Sequence, residues 1–317
     1  MSPIVTLTLN PAIDLTVTLD ALAPGHVHRA RDARRDPGGK GVNVAGCLAD
    51  WGLPVVATGL LGRDNDAAFA GFLTGKGIAD RFVRVPGETR TNLKLLDLGR
   101  SDTTDVNLPG IAARAEDLAA VRGALLEAAA PDGLAVLAGS LPAGLAPATY
   151  VGLTADLTAR GTRVVVDASG PALAAVLAAP PGALPFAVKP NRHELEEWAG
   201  RPLADLPAVI AAAGALAERG IPLVAVSLGP DGALFVGREG VLHAHPPAMA
   251  VGSTVGAGDA LVAGLVAGLQ AGASLAETAR LALAFAAGKL TRNGANLPDR
   301  ATVRALAERI RIETLRP

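Results

Sequence analysis

The chain has 317 residues, half of them hydrophobic, and a formal net charge of −1 at pH 7. This length suits one large or two small domains with a sizeable core, and the small net charge argues against a nucleic-acid-binding surface. Cys47 is the sole cysteine, which excludes an internal disulfide and a cysteine-based metal site.

Short apolar runs alternate with longer helical stretches along the chain, which is typical of a parallel α/β sheet. The predicted strands are 4–9, 55–61, 134–138, 163–166, 186–188 and 223–227. The predicted helices are 42–51, 67–75, 116–129, 149–160, 206–219, 260–269, 275–290 and 301–311. Segments 15–35 and 89–108 break the alternation and predict amphipathic strands of a small second sheet, with an extra edge hairpin as the alternative.

None of these elements is predicted to be a signal peptide or a membrane span. The N-terminus lacks a basic region followed by a long apolar core. The longest apolar candidate, 260–273, is shorter than the roughly 18 residues of a membrane helix, and Gly264, Gly268 and Gln270 interrupt it. We therefore expect a cytoplasmic protein with no membrane partner.

Polar residues follow one predicted strand after another. Four strands run directly into Gly139-Ser140, Asp167, Lys189-Pro190-Asn191 and Ser227-Leu228-Gly229. Any one of these groups could be a turn or a helix cap. Because ligands of open α/β sheets bind at the carboxyl ends of the strands, four in succession predict a site along one edge of the sheet.

Two glycine clusters open predicted helices. Thr254-Val255-Gly256-Ala257-Gly258-Asp259 leads into helix 260–269 and leaves backbone N–H groups uncovered at its positive end. This pattern predicts an anion pocket with the Asp259 carboxylate at its lip, suited to phosphoryl transfer onto a hydroxyl. A simple helix cap at Asp259 is the alternative.

The second cluster, Gly38-Gly39-Lys40-Gly41-Val42-Asn43, opens helix 42–51 but lacks the spacing of a Walker A loop. It predicts close approach of backbone to a ligand, with positive charge from Lys40, or else a turn with a solvated lysine. Only five of the 29 basic residues are lysines. Lys40, Lys94 and Lys189 fall in motifs, which favours roles that need a compact ammonium.

Asn191 and Glu194 stand three residues apart at a predicted helix start. On a shared helix face, their amide and carboxylate suit a hydrated Mg²⁺ beside nucleotide phosphates. A structural capping box is the competing interpretation.

Together these motifs resemble the PfkB group of ribokinase-like carbohydrate kinases, in family order and over nearly the whole chain. The matching segments are Gly38-Gly39-Lys40-Gly41-x-Asn43, Gly139-Ser140-Leu141-Pro142, Lys189-Pro190-Asn191-x-x-Glu194, Ser227-Leu228-Gly229-x-x-Gly232 and Ser253-Thr254-Val255-Gly256-Ala257-Gly258-Asp259. The resemblance implies a three-layer α/β/α sandwich with a mostly parallel sheet and a small β-sheet lid. It implies a single domain, 1–317, with lid strands from about 11–36 and 88–109, and a homodimer joined through the lid.

The opening Thr8-Leu9-Asn10-Pro11-Ala12-x-Asp14 is similar to that of the phosphosugar kinases of the group. Three further segments resemble more closely the group members that phosphorylate fructose 1-phosphate: Leu61-Gly62-Arg63-Asp64-Asn65, Thr89-Arg90-Thr91-Asn92-x-Lys94 and the extension of the 189–194 motif to Gly200. The implied activity is transfer of the γ-phosphoryl group of ATP, with Mg²⁺, to the C6 hydroxyl of fructose 1-phosphate. A kinase for tagatose 6-phosphate or fructose 6-phosphate is the main alternative, and a sugar-phosphate or nucleotide sensor is the alternative outside enzymes.

A nicotinamide oxidoreductase is disfavoured, because Asn10-Pro11-Ala12 follows the first strand where a glycine fingerprint would be needed. The chain also departs from the pattern of its relatives in two places. Ala260 stands where close relatives often carry serine. Loop 292–296 is shorter than in some relatives, so the resemblance does not decide whether a monovalent-cation (K⁺) site is present there.

The resemblance assigns roles to individual residues. Asp259 is expected to act as general base, while backbone N–H groups of Gly256, Ala257 and Gly258 stabilise the phosphoryl oxygens. The expected substrate-binding residues are Asp14, Gly38, Gly39, Lys40, Asn43, Arg90, Asn92, Lys94 and Ser140. The expected nucleotide-binding residues are Lys189, Asn191, Ser227, Gly229, Gly232, Thr254, Gly256 and Gly258, with Asn191 and Glu194 holding Mg²⁺ through water.

Asp14 could instead be a turn former after a strand, and its role with the sugar is implied by the resemblance alone. Lys40 and Arg90 are the expected partners of the phosphate already on the sugar, but Arg90 could equally be a solvated lid residue. Asp167 is left out of catalysis, since a structural role at a strand end explains it as well.

Overall fold

The computed structural model describes residues 2–100, 102–247, 256–292 and 294–315. Their strands are, in chain order, β1 (Ile4–Thr8), β2 (Ala12–Leu19), β3 (Asp32–Gly38), β4 (Val55–Gly62), β5 (Ala79–Val85), β6 (Thr91–Asp97), β7 (Asp102–Val106), β8 (Leu134–Ala138), β9 (Arg163–Asp167), β10 (Ala187–Val188), β11 (Leu223–Ser227), β12 (Ala233–Gly237), β13 (Gly240–His245) and β14 (Arg311–Leu315). Their helices are α1 (Lys40–Asp50), α2 (Ala67–Gly75), α3 (Ala115–Ala128), α4 (Thr149–Thr158), α5 (Gly170–Leu177), α6 (Arg192–Ala199), α7 (Leu206–Glu218), α8 (Ala257–Gln270), α9 (Leu275–Lys289) and α10 (Arg300–Arg309).

Among the described residues, ten strands form the main sheet, in the spatial order β14-β13-β12-β11-β10-β9-β8-β1-β4-β5. The strands from β11 to β5 run parallel, and β12, β13 and β14 extend one edge in antiparallel pairs. The chain leaves β1 toward β4 and later returns to β8 on the other side of β1. The strand order therefore reverses beside β1, which is where ligands of such sheets bind.

Helices cover both faces of this sheet. Helices α1, α2, α8, α9 and α10 bury apolar side chains against one face, and α3 to α7 bury theirs against the other. All five residues of β8 are buried, as expected for a parallel strand that is covered on both sides. The predicted three-layer α/β/α class is confirmed.

A second, four-stranded sheet, here called the lid sheet, has the order β3-β2-β6-β7. Its two central strands, β2 and β6, run parallel, and Ile13 pairs with Thr91. The outer strands β3 and β7 are antiparallel to their neighbours. The predicted small second sheet is confirmed, and the edge-hairpin alternative is wrong, because strands from both segments join in one separate sheet.

Several predicted helix boundaries differ from the structure by one to three residues, and two of these differences have identifiable reasons. Helix α8 begins three residues before the predicted start at 260, because Gly256 and not Asp259 is its N-cap. The predicted helix 301–311 ends at Arg309, because the next residues pair with β13 as strand β14. No helix among the described residues is both long and apolar enough to cross a membrane.

Candidate active site

Helix α8 begins directly after Gly256, whose φ of 78° lies in the left-handed region that favours glycine. Its first residues, Ala257 and Gly258, present the backbone N–H groups that no turn of the helix satisfies. Asp259 follows, is 8% exposed, and accepts a 2.7 Å hydrogen bond at Oδ2 from Nδ2 of Asn43. The carboxylate therefore belongs to a side-chain network, and the helix-cap alternative is wrong.

A charge cluster, formed by the buried Asp259, Asp167 and Lys189 and the partly exposed Lys40, surrounds this helix start. Oδ1 of Asp167 lies 3.0 Å from Nζ of Lys40 and 3.3 Å from Nζ of Lys189. Within the described residues, Oδ2 of Asp167 has no hydrogen-bond partner. Burial, and then the charge of Asp167, raises the pKa of Asp259, while Lys40, Asn43 and Lys189 oppose the shift. Asp167, which the sequence analysis left out of catalysis, thus contacts both lysines and acts electrostatically on Asp259.

Gly38 and Gly39 allow the lid sheet and helix α1 to approach the end of β1. A Cβ at Gly38 would lie 2.8 Å from Oδ2 of Asp14, and one at Gly39 would lie 2.9 Å from Cγ2 of Thr8. Gly39 also has a φ of 110° as the N-cap of α1. Both glycines are required by packing, and their contact with a substrate stays a prediction.

Ser140 follows β8 at the point where the strand order reverses. Its Oγ accepts a 3.0 Å hydrogen bond from Nδ2 of Asn10, which follows β1. The neighbouring Gly139 donates its backbone N–H to the carbonyl of Asp167, at 3.0 Å. These bonds join the ends of β1, β8 and β9 beside the charge cluster.

A polar pocket of about 270 Å³ lies between the lid sheet and the start of α8. The predicted substrate residues Asp14, Asn43 and Lys94 line it. Nζ of Lys94 lies 3.9 Å from Oδ2 of Asp14 and 3.4 Å from Oδ1 of Asp105. Burial raises the pKa of Asp14, and Lys94 opposes that shift. This space, here called the lid pocket, combines hydrogen-bond acceptors with cations.

Three further basic residues, which the sequence motifs did not indicate, line the lid pocket: Arg34, Lys289 and Arg292. Lys289 is 4% exposed, and its Nζ donates to the carbonyl of Arg292 at 3.1 Å. A Cβ built at Gly256 would lie 3.2 Å from Cε of Lys289, so this ammonium lies beside the N-terminus of α8. Burial lowers the pKa of Lys289. The scarcity of lysine was the one sequence signal that could have marked it.

Arg90 ties the lid sheet to the body of the protein. Its guanidinium donates to the backbone carbonyls of Asn10, Pro11 and Leu108 at 3.1 to 3.3 Å. Burial lowers its pKa. The side chain is half-buried and bonded to backbone, so it is not a solvated lid residue. Asn92 supports the same junction, since its Oδ1 accepts from the N–H of Leu108 at 3.2 Å.

A larger cavity of about 700 Å³ lies on the other side of the α8 N-terminus, and is here called the long cavity. Five predicted nucleotide-binding residues line it: Asn191, Ser227, Gly229, Gly232 and Gly258. Leu261, Leu283 and Leu290 form an apolar part. A cavity that is apolar in one part and polar at a helix N-terminus suits a ligand with a flat ring and an anionic tail. Thr254, also predicted to bind nucleotide, lies outside the described residues.

Asn191 and Glu194 form a reciprocal capping box at the start of α6. Oδ1 of Asn191 accepts from the N–H of Glu194, and Oε2 of Glu194 accepts from the N–H of Asn191, each at 2.8 Å. The competing structural interpretation is therefore confirmed. A bridge between Asn191 and Ser227 holds this cap at the rim of the long cavity, and a role with Mg²⁺ stays a prediction.

Comparison with known proteins agrees with this geometry. Residues 7–302 match the pfkB family carbohydrate kinases. The chain is 54% identical to a 1-phosphofructokinase of Xanthomonas campestris pv. campestris, over 89% of each protein. It is 48% identical to a 1-phosphofructokinase of Rhodobacter capsulatus, over 99% of this chain and 98% of that one.

The crystal structure of phosphofructokinase-2 from Escherichia coli in complex with substrates and products has a similar fold. The TM-score is 0.90 at 30% sequence identity, covering 97% of this chain and 99% of that one. The family match and the sequence identities extend over most of the chain, which includes both cavities and the charge cluster. The chain therefore belongs to the pfkB family of carbohydrate kinases.

Proposed function

We propose that this enzyme transfers the γ-phosphoryl group of ATP to the C6 hydroxyl of fructose 1-phosphate, giving fructose 1,6-bisphosphate and ADP. The observation that carries this proposal is the meeting of two different cavities at the N-terminus of α8. Gly256 lines the polar lid pocket, Gly258 lines the long cavity, and Asp259 follows in the first turn. A phosphoryl group crossing between two ligands would pass this helix N-terminus.

Asp259 accepts the proton of the attacking hydroxyl in this mechanism. Its raised pKa brings the carboxylate closer to the basicity that proton removal requires. The hydrogen bond from Asn43 fixes the orientation of the carboxylate. Because Asn43 also lines the lid pocket, it positions the base relative to the sugar.

Electrostatic stabilisation comes from fixed donors around the same point. The backbone N–H groups of Gly256, Ala257 and Gly258 and the dipole of α8 favour negative charge on the transferred group. Lys40 and Lys189 add two ammonium groups that Asp167 holds in place. Burial opposes the charge on Lys40, but Asp167 and Asp259 outweigh it and raise its pKa, so this lysine stays protonated.

The residues near the long cavity also fit a divalent cation. Oδ2 of the fully buried Asp167 has no partner among the described residues, and Glu194 supplies a second carboxylate at the cavity rim. Carboxylate oxygens are the donors that Mg²⁺ prefers. Glu194 and Asn191 would hold the ion through water, and when bound it neutralises phosphate charge. A K⁺ site stays a prediction from resemblance, because Asn293 of loop 292–296 lies outside the described residues.

The phosphate already present on the sugar is expected to lie among the cations of the lid pocket. Lys94, Arg34, Lys289 and Arg292 face that space. The assignment to Lys40 and Arg90 is less well supported, since neither residue lines the lid pocket. An unphosphorylated sugar would not need so many cations.

Initial rates of ADP release with Mg-ATP and each of three sugars test the substrate. We expect kcat/KM for fructose 1-phosphate to exceed that for fructose 6-phosphate and tagatose 6-phosphate by about 100-fold, roughly 2.7 kcal/mol of transition-state discrimination. Preference for a 6-phosphate would overturn the substrate and retain the mechanism. No turnover with any of the three would revive the sensor alternative, which the two cavities and Asp259 otherwise disfavour.

We further propose that a single domain, 1–317, carries both sheets and forms a homodimer through the lid sheet. Large apolar side chains are exposed on the lid segments: Val27, Leu98, Val106 and Leu108. Their exposure supports burial against a second copy. Sedimentation equilibrium at micromolar concentration is expected to give twice the chain mass, and Val106→Asp is expected to shift the protein toward the monomer. A monomeric wild-type protein would refute the dimer.

A further inference from the structure

A histidine cluster lies at the far edge of the main sheet, outside the catalytic machinery. His243 and His245 are alternate residues of β13, so their side chains share one face of the sheet. Glu313 of β14 pairs with His243 in the antiparallel register and shares that face. The two imidazole centroids are 3.9 Å apart, and Nε2 of His245 lies 3.2 Å from Oε2 of Glu313.

The potential ligand atoms of these side chains converge without any rearrangement of the backbone. One nitrogen from each histidine and one oxygen of Glu313 lie within 4.8 Å of one another. Across the part of the chain that the structure describes, this is the one group of three or more such residues with that geometry. Two imidazoles and a carboxylate form a ligand set known for zinc.

The hydrogen bond between His243 and Asp231 fixes which imidazole nitrogen of His243 is available to bind a metal ion. Nε2 of His243 lies 2.8 Å from the carbonyl oxygen of Asp231. Because a carbonyl can only accept, Nε2 carries the proton and Nδ1 keeps a free lone pair. Metal-binding histidines commonly donate their second nitrogen to a backbone carbonyl in this way. The outer-shell contact of a metal site is thus already formed.

We propose that His243, His245 and Glu313 bind a transition-metal ion of the Zn²⁺ class, with water completing a four-coordinate site. Arg311 is the competing cation, with Nη1 3.4 Å from Oε2 of Glu313. Its side chain is 66% exposed and can turn into solvent when the ion binds.

This site lies behind one wall of the long cavity. His243 holds the carbonyl of Asp231, and the adjacent Pro230 and Gly232 line that cavity. His245 directly precedes Pro246, another lining residue. An ion here would link β13 to β14 directly and to the 229–232 turn through His243, and its nitrogen ligands differ from the oxygen ligands expected for Mg²⁺.

Titration of the full-length, nucleotide-free protein with Co²⁺ and then Zn²⁺ tests the proposal. Four-coordinate Co²⁺ absorbs strongly in the visible range, whereas Co²⁺ in an octahedral oxygen site absorbs weakly. We expect one equivalent of Co²⁺ to produce the strong bands, Zn²⁺ to abolish them, and excess Mg²⁺ to leave them unchanged. Weak octahedral bands alone would refute the site.

Variants assign the ion to these residues. His245→Gln and Glu313→Gln should each weaken Zn²⁺ binding by more than the roughly 10- to 100-fold that loss of an outer-shell partner costs. His26→Gln, at an exposed histidine elsewhere, should bind like wild type. Unchanged kinase turnover in both test variants would show that they fold. Wild-type affinity in both variants would place the ion elsewhere and overturn the proposal.

Discussion

The substitution Asp259→Asn is expected to lower kcat by about 10²- to 10⁴-fold, the range that a positioned general base contributes. Asparagine keeps the shape of the side chain and an oxygen that can accept from Asn43, so the local packing should persist. It cannot accept the proton of the sugar hydroxyl. Asp259 does not line the long cavity, so the affinity of the enzyme for ATP should change little.

Steady-state ADP release and calorimetric titration with ATP would separate these two effects. The wild-type enzyme should also gain activity as pH rises through the pKa of Asp259. That acid limb should lie above the ordinary carboxyl value of 3.8, because burial raises this pKa and only the ionised form acts as base. Asp132→Asn, at an exposed turn residue with φ of 58°, is the matched control. Activity of Asp259→Asn within tenfold of wild type would contradict its role as base.

The second large effect is expected for Lys289→Met, which should reduce kcat/KM by about 10²-fold, the scale of one lost electrostatic donor in a closed site. The ammonium of Lys289 lies beside Gly256 and faces the lid pocket, where sugar phosphate and developing charge are expected. Methionine fills nearly the same volume without charge. The substitution loses one hydrogen bond but also removes a buried cation that is costly to desolvate, and these two effects oppose each other. The free energy of unfolding should therefore change by no more than about 1 kcal/mol.

Lys76→Met serves as the control for this variant. Lys76 forms an ion pair with Asp50 outside both cavities, so its loss should leave kcat/KM unchanged. Denaturant unfolding of both variants would distinguish lost catalysis from lost structure. If Lys289→Met unfolded far more readily and kept its kcat/KM, the lysine would be a structural partner of the Arg292 carbonyl and nothing more.

Prediction from sequence succeeded for six of the seven parallel strands of the main sheet, because each of the six is a short apolar run followed by a polar group. Strand β8 was located to the residue for this reason. It failed for β5, β12, β13 and β14. In β5 the first three residues are exposed and two of them are charged, and β14 is mostly exposed, so neither shows a buried run. Strands β5 and β14 lie at the two edges of the main sheet and are defined by their neighbours there. Strands β12 and β13 each contain a buried run, which the prediction overlooked.

The candidate site likewise contains some residues that the sequence predicted and others that it did not. Glycine clusters located the start of α8 and its approach to α1, because backbone geometry requires glycine there. The importance of Asp167 did not follow from its motif, since it depends on Lys40 and Lys189 arriving from other segments. Lys289 ends a helix that no motif marks, and only the packing of α9 against α8 brings it to the lid pocket.

The parallel pairing of β2 with β6 has a consequence for how the protein folds. Ile13 pairs with Thr91, and α1, β4, α2 and β5 all lie between them in the chain. Before β6 is available, β2 and β3 amount to an isolated hairpin, which is marginally stable in water. Long-range parallel pairing carries a loop-closure cost and forms slowly. During refolding, helical signal should therefore recover before catalytic activity, because the lid pocket is assembled last.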